Sequence, residues 1–110
     1  MILPDVISFT AADERAEIEL RAAASLPYFQ GHFPGFPVLP GVVQLGWALA
    51  FAEQAFGMRF EVTGVRRLKF MRLIFPDSPV VLTLLRGDGS VEFEYRNGDG
   101  SFSSGILQVG

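Results

Sequence analysis

A chain of 110 residues has room for one domain built round one core, here residues 1–110. Its hydrophobic content of 49% against 19% charged residues is high for that size and anticipates a surface buried against another subunit. A formal net charge of -3 with no long basic run speaks against nucleic acid or an acidic membrane surface as partner, and the lack of cysteine excludes disulfides and thiolate metal sites.

Met1-Ile2-Leu3-Pro4-Asp5 shows no basic stretch followed by a long apolar run, so no signal peptide is expected and a cytoplasmic location is the default. Ala16, Ile18 and Leu20 then alternate with Glu17 and Glu19, the period of a strand with one wet face. Pro27 ends that region. From there to Gly41 the chain also carries Gly31, Pro34, Gly35, Pro37 and Pro40, which excludes helix and interior strand. Tyr28, Phe29, Phe33 and Phe36, with Val38 and Leu39, predict that this loop is ordered, because disordered segments are poor in such residues.

Between Pro40 or Gly41 and about Phe56 the pattern predicts a helix, with Pro40 suited to its first turn and Gly57 to its end. Its apolar residues (Val42, Val43, Leu45, Trp47, Ala48, Leu49, Phe51, Ala52, Ala55 and Phe56) wrap nearly the whole circumference, so the helix is expected to be buried on all sides. Pro40, Gly41, Gln44 and Gly46 interrupt this apolar stretch, which is too short for a membrane span of about 20 residues. Strand texture follows over Val62 to Phe75, Val80 to Arg86, Val91 to Arg96 and Ser101 to Val109. The separating segments Pro76-Asp77-Ser78-Pro79, Gly87-Asp88-Gly89 and Asn97-Gly98-Asp99-Gly100 are turn signals, the last a strong hairpin signal. The predicted architecture is α+β: one buried helix wrapped by a curled antiparallel meander, whose edges join a second sheet in a dimer.

His32 is the sole histidine, and it stands in the loop that feeds the helix N-terminus. An imidazole titrating near neutrality, close to unpaired helix N–H groups, suits proton removal beside a thioester carbonyl whose oxygen gathers charge. Gly41, lacking a side chain, would let a ligand approach the backbone there, and the N–H of Val42 would join it in polarising the carbonyl. Phe33, Phe36 and Trp47 are candidates for lining an acyl channel, although packing alone accounts for them. Arg66, Arg67, Lys69 and Arg72 read as the solvated face of a strand, with a second reading as a receiver for an acidic carrier protein or a phosphate.

The run Tyr28-Phe29-Gln30-Gly31-His32-Phe33-Pro34-Gly35, followed by Pro37-Val38-Leu39-Pro40-Gly41-Val42, resembles the signature of the β-hydroxyacyl-[acyl-carrier-protein] dehydratases. The continuation Val43-Gln44-Leu45-Gly46-Trp47-Ala48 is similar to a dehydratase-like subgroup associated with aryl-polyene pathways. The resemblance implies a hotdog fold and a dimer, a higher assembly of dimers, or a heteromer with another hotdog subunit. It also implies a substrate carried on the phosphopantetheine of an acyl carrier protein or on coenzyme A, with no further cofactor and no metal. In that family the histidine acts on the α-proton, the role that falls to His32. A carboxyl group on the central helix of the other subunit assists departure of the β-hydroxyl. Counted from the motif, the acidic position falls at residue 46, which is glycine. Gln44 and Glu53 are the auxiliary candidates, Gln44 to orient a water or hydroxyl, Glu53 as a carboxylate about two turns on and roughly 10 Å further along the axis. The readings are therefore a 3-hydroxyacyl-thioester dehydratase, a thioesterase on the same fold, or a catalytically weak carrier-binding subunit that pairs with an active homologue.

Overall fold

In the computed structural model, residues 1–30, 37–98 and 100–110 are described. Among them the chain forms strands β1 (Asp5–Ala11) and β2 (Arg15–Arg21), a 3-10 turn (Pro27–Phe29), helix α1 (Gly41–Phe56), and strands β3 (Val62–Phe70), β4 (Pro79–Gly87), β5 (Ser90–Asn97) and β6 (Gly100–Val109). All pairings are antiparallel, in the order β1-β2-β4-β5-β6-β3. This is the hotdog arrangement: one helix held against a single sheet.

Strand periodicity builds the inner face. Ile18 lies opposite Leu82, and Leu82 opposite Tyr95, so one row of side chains crosses three strands toward the helix. Ala16, Leu20, Val80, Leu84, Val91 and Phe93 fill the rows beside it, all 3% exposed or less. The helix answers with Val43, Trp47, Ala48, Phe51 and Ala52. Ala48 and Ala52 are fully covered, and their small side chains let the helix axis come close to the sheet while Trp47 and Phe51 fill the flanks. Gly57 ends the helix at φ 66, its N–H donating to the carbonyl of Glu53, as a left-handed glycine stop does.

Four features depart from the sequence reading. The first is the meander: β4, β5 and β6 are consecutive neighbours, but β3 pairs with β6 at the far edge and β4 pairs with β2. Alternation tells which face a side chain takes, not which strand lies beside it. Secondly, β3 ends at Phe70, and the chain to Ser78 is a crossover rather than strand. The N–H groups of Met71 and Arg72 both donate to the Phe102 carbonyl, and the Asp77 N–H donates to that of Ala22, so the crossover is tied to both sides of the sheet.

The third departure concerns the helix. It is not covered all round: Val43, Gln44, Trp47, Ala48, Phe51 and Ala52 are buried, whereas Val42 is 73% exposed and Leu45, Gly46, Leu49 and Ala50 are half-buried. One chain's sheet can cover only one side of a cylinder. The edge strand β1, fully exposed and kinked between Val6 and Ser8, was not foreseen because it lacks clean alternation.

Phe51 is 1% exposed in the middle of this core. Phe51→Ala is expected to lower unfolding stability by about 3–5 kcal/mol, read as a shifted urea midpoint with unchanged slope.

Candidate active site

His32, Phe33 and Phe36 lie outside the described residues, so the site is built from what brackets them. On the upstream side the 3-10 turn carries Phe29 into the core, 8% exposed, and the Gln30 N–H donates to the Pro27 carbonyl. On the downstream side Leu39 is buried; its N–H donates to the Ile74 carbonyl at 2.9 Å. Its own carbonyl accepts from Gln44 Nε2 at 3.2 Å. Pro40 caps the helix, and its carbonyl takes the N–H groups of Val43 and Gln44. The N–H groups of Gly41 and Val42 precede these bonds, at the positive end of the helix, where backbone donors lack intrahelical partners. An added Cβ at Gly41 would lie 2.6 Å from the Phe70 ring. Packing against Phe70 is thus a reason for glycine here that is independent of the oxyanion role expected of it.

Gln44 has a different task from the auxiliary one expected of it. Its side chain is 3% exposed, and beyond the bond to Leu39 its Oε1 accepts from Ser103 Oγ at 2.6 Å. Its backbone carbonyl accepts from the Tyr95 hydroxyl, also at 2.6 Å. Both ends of the amide are therefore spoken for within the core. Glu53 is likewise engaged, its Oε2 accepting the Phe60 N–H at 2.9 Å beyond the helix end. Trp47 is wholly buried and donates its indole N–H to the Ile2 carbonyl, which makes it a core residue rather than a channel wall. Gly46 faces away from the sheet, and the Met1 side chain lies over it: a Cβ at Gly46 would be 2.6 Å from Met1 Sδ and nearer still to Cε.

The basic cluster divides. Arg67 and Lys69 line a groove of about 440 Å³ with Arg15, Arg96, Glu92 and Glu94. Thr83, Leu85, Glu92, Glu94 and Arg96 alternate with the helix-facing residues of β4 and β5, so this groove is on the opposite face of the sheet from the helix. Arg66 is not part of it. Arg72 is committed to the β5–β6 hairpin: its guanidinium donates to Asn97 Oδ1, the Gly100 carbonyl and the Ser101 carbonyl, and stacks 4.2 Å from the Phe102 ring centroid. Sequence reasoning missed Tyr95, Ser103 and Met1. The first two were signalled by polar atoms at inward-facing positions of otherwise apolar strands; nothing in the pattern marked Met1.

The ApeI-like family, described as ApeI dehydratase, matches residues 8–106. The chain belongs to the ApeI-like dehydratase family. The 3-hydroxyacyl-[acyl-carrier-protein] dehydratase FabZ of Alkaliphilus metalliredigens is 33% identical over 112 residues, covering 83% of this chain and 76% of its own. That of Pelotomaculum thermopropionicum is 40% identical over 88 residues, 68% of this chain and 62% of its own length. A chain of the dehydratase heterocomplex ApeI:P from Xenorhabdus doucetiae superposes with a TM-score of 0.90 at 27% identity, over 96% of both chains. Among the described residues, no helix of this ApeI-like chain is long and apolar enough to cross a membrane.

Burial pushes the Tyr95 phenol well above its ordinary value near 10, against a smaller opposite pull from the Ala48 backbone. The contribution to stability is therefore whole below pH 10 and is lost as pH rises beyond it, since the unfolded phenol ionises first. Tyr95→Phe should flatten that alkaline decline in denaturation midpoints. At neutral pH it should cost about 1–2 kcal/mol, because the Gln44 carbonyl loses a buried donor.

Proposed function

We propose that this chain is the histidine-bearing subunit of a 3-hydroxyacyl-thioester dehydratase, acting on acyl groups carried by phosphopantetheine, and that a second hotdog chain completes its active site. The substrate and its carrier follow from the names of the FabZ relatives, and the second chain from that of the ApeI:P heterocomplex. The observation that carries the division of labour is at Gly46. The position counted as acidic bears no side chain, and Met1 fills the space above it. The nearest helix carboxylate, Glu53, is held by the Phe60 N–H.

In this reading His32 removes the α-proton while the C–O bond at the β-carbon breaks. The hydroxyl leaves as water, taking a proton from an acid on the partner's helix, and the electron pair of the C–H bond becomes the new double bond. The Gly41 and Val42 N–H groups hold the carbonyl oxygen as charge gathers on it. No cofactor beyond the thioester's own carrier is needed. A cytoplasmic site of action goes with a carrier-bound substrate.

An apolar strip supports an assembly. Val65, Leu68, Phe70, Met71, Leu73 and Phe75 are each between 40% and 51% exposed along edge strand β3 and the crossover after it. Isolated chains rarely leave so many large apolar side chains together in water, so the strip is assigned to a subunit contact. Arg67 and Lys69 remain available to an acidic carrier protein, whereas Arg72 is not.

The test follows enoyl formation from a 3-hydroxyacyl-carrier substrate, using this chain alone and mixed with an acid-bearing hotdog partner. Turnover is expected to be weak alone and restored by mixing. His32→Ala in this chain should lower the mixed rate by roughly 10²–10⁴-fold, while removing the partner's histidine should leave most of it. The reverse dependence would overturn the proposal, and release of free thiol without enoyl product would put a thioesterase in its place.

A further inference from the structure

The face of the sheet turned away from the helix carries a charge pattern set by strand register. On it Glu92 of β5 lies opposite Ile106 of β6, and Ile106 opposite Arg66 of β3. One row along, Glu94 lies opposite Ser104, and Ser104 opposite Lys69. Across three neighbouring strands the face runs carboxylate, neutral, cation in both rows. A bulge in β3 sharpens the pattern. The register slips between Arg66 and Lys69, where Arg67 takes a left-handed backbone at φ 53 that residues other than glycine rarely adopt. Arg67 and Lys69 both line the outer groove. Leu68 is turned to the helix side, its Cδ1 3.3 Å from where a Cβ on Gly105 would stand beside the Phe93 ring.

Glu92, Arg67 and Lys69 are exposed and Glu94 is half-buried; among the described residues none of the four has an ion-pair partner. Within one chain the opposite charges stand two strands, roughly 10 Å, apart. A two-fold axis laid along β6 brings them together. Rotation about it keeps position along the strands and exchanges the strands on either side of β6, so β3 of each copy lies over β5 of the other. Glu92 then meets Arg67 and Glu94 meets Lys69, each pair formed twice, while Ser104 and Ile106 meet their own counterparts on the axis. We propose that the outer face of β5, β6 and β3 is an interface for a second copy of this chain, packed sheet against sheet, with the cations on β3 of each copy seated in the groove of the other. That groove, of about 440 Å³, has Glu92 and Glu94 in its lining to receive them. An acidic carrier protein laid here meets those carboxylates as well as the cations, whereas a second copy satisfies all four groups. Leu68 and Phe70, on the helix side of β3, belong to the apolar strip, so this contact is separate from the one assigned to the second hotdog chain.

The test is sedimentation of the full chain at low and high ionic strength. The unaltered chain should show an association step that salt reverses, since the contact is held chiefly by charge. Lys69→Glu alone and Glu94→Lys alone should each weaken that step by about tenfold or more, because each sets like charges face to face at two symmetry-related places. Combining the two substitutions in one chain should restore it. An equimolar mixture of the two single variants should associate as well, because one copy then offers two carboxylates and the other two lysines. Pairing inside one chain predicts recovery in the combined variant but none in the mixture. The proposal falls if the unaltered chain shows no salt-reversible step, if either single variant associates like the unaltered chain, or if the mixture stays as dissociated as its components. Loss of acyl carrier protein binding in Lys69→Glu with association unchanged also overturns it, by giving the face to the carrier. Enoyl formation is read separately, so the dehydratase reading stands or falls independently of this result.

Discussion

Gln44 is the residue on which the geometry of the site turns. Its amide joins the loop before the helix, through Leu39, to strand β6, through Ser103, while its carbonyl receives the Tyr95 hydroxyl from β5. A buried polar group left without partners costs about 1–3 kcal/mol, so the three bonds strongly favour one register of helix against sheet. The surrounding apolar contacts supply most of the driving force for packing, but they are tolerant of sliding and rotation. Directional bonds at one end of the helix are not. They fix where the first turn, whose N–H groups at Gly41 and Val42 have no intrahelical partner, stands relative to the strands.

The same lock separates two faces with different tasks. Toward the sheet the helix spends its bulk, with Trp47 and Phe51 fully covered and alanines between them. Away from the sheet it keeps an apolar surface that its own chain does not close, continued by the exposed residues of β3 and the crossover. A high hydrophobic content in a short chain is thereby accounted for: part of it belongs to the core and part to exposed apolar surface. The sheet cannot curl far enough to reach both sides of one helix.

The helix was legible in the sequence almost to the residue, because Pro40 and Gly57 punctuate it by backbone chemistry alone. Strand β2 was legible by its alternation, and β4, β5 and β6 because Pro-, Gly- and Asn-containing turns also bound them. The placing of β3 was not. That depends on where the crossover runs, which is decided by bonds such as Asp77 to Ala22 between residues far apart in the chain. Of the site, the helix end at Gly41 and Val42 was correctly located, and His32 lies outside the described residues. Gln44 was misread, because in sequence a lone amide on an apolar helix looks free to serve a substrate. Only the inward positions of Ser103 and Tyr95 reveal that it is already in use.

Gly46 brings the two levels together. As a departure from the resembled motif it reads as a loss, the removal of an acid. As a structural position it is a glycine over which the Met1 side chain lies. A carboxylate there would have to displace the Met1 side chain. Under the proposed two-chain enzyme, the proton donor for elimination therefore stands on the second chain and not at this position.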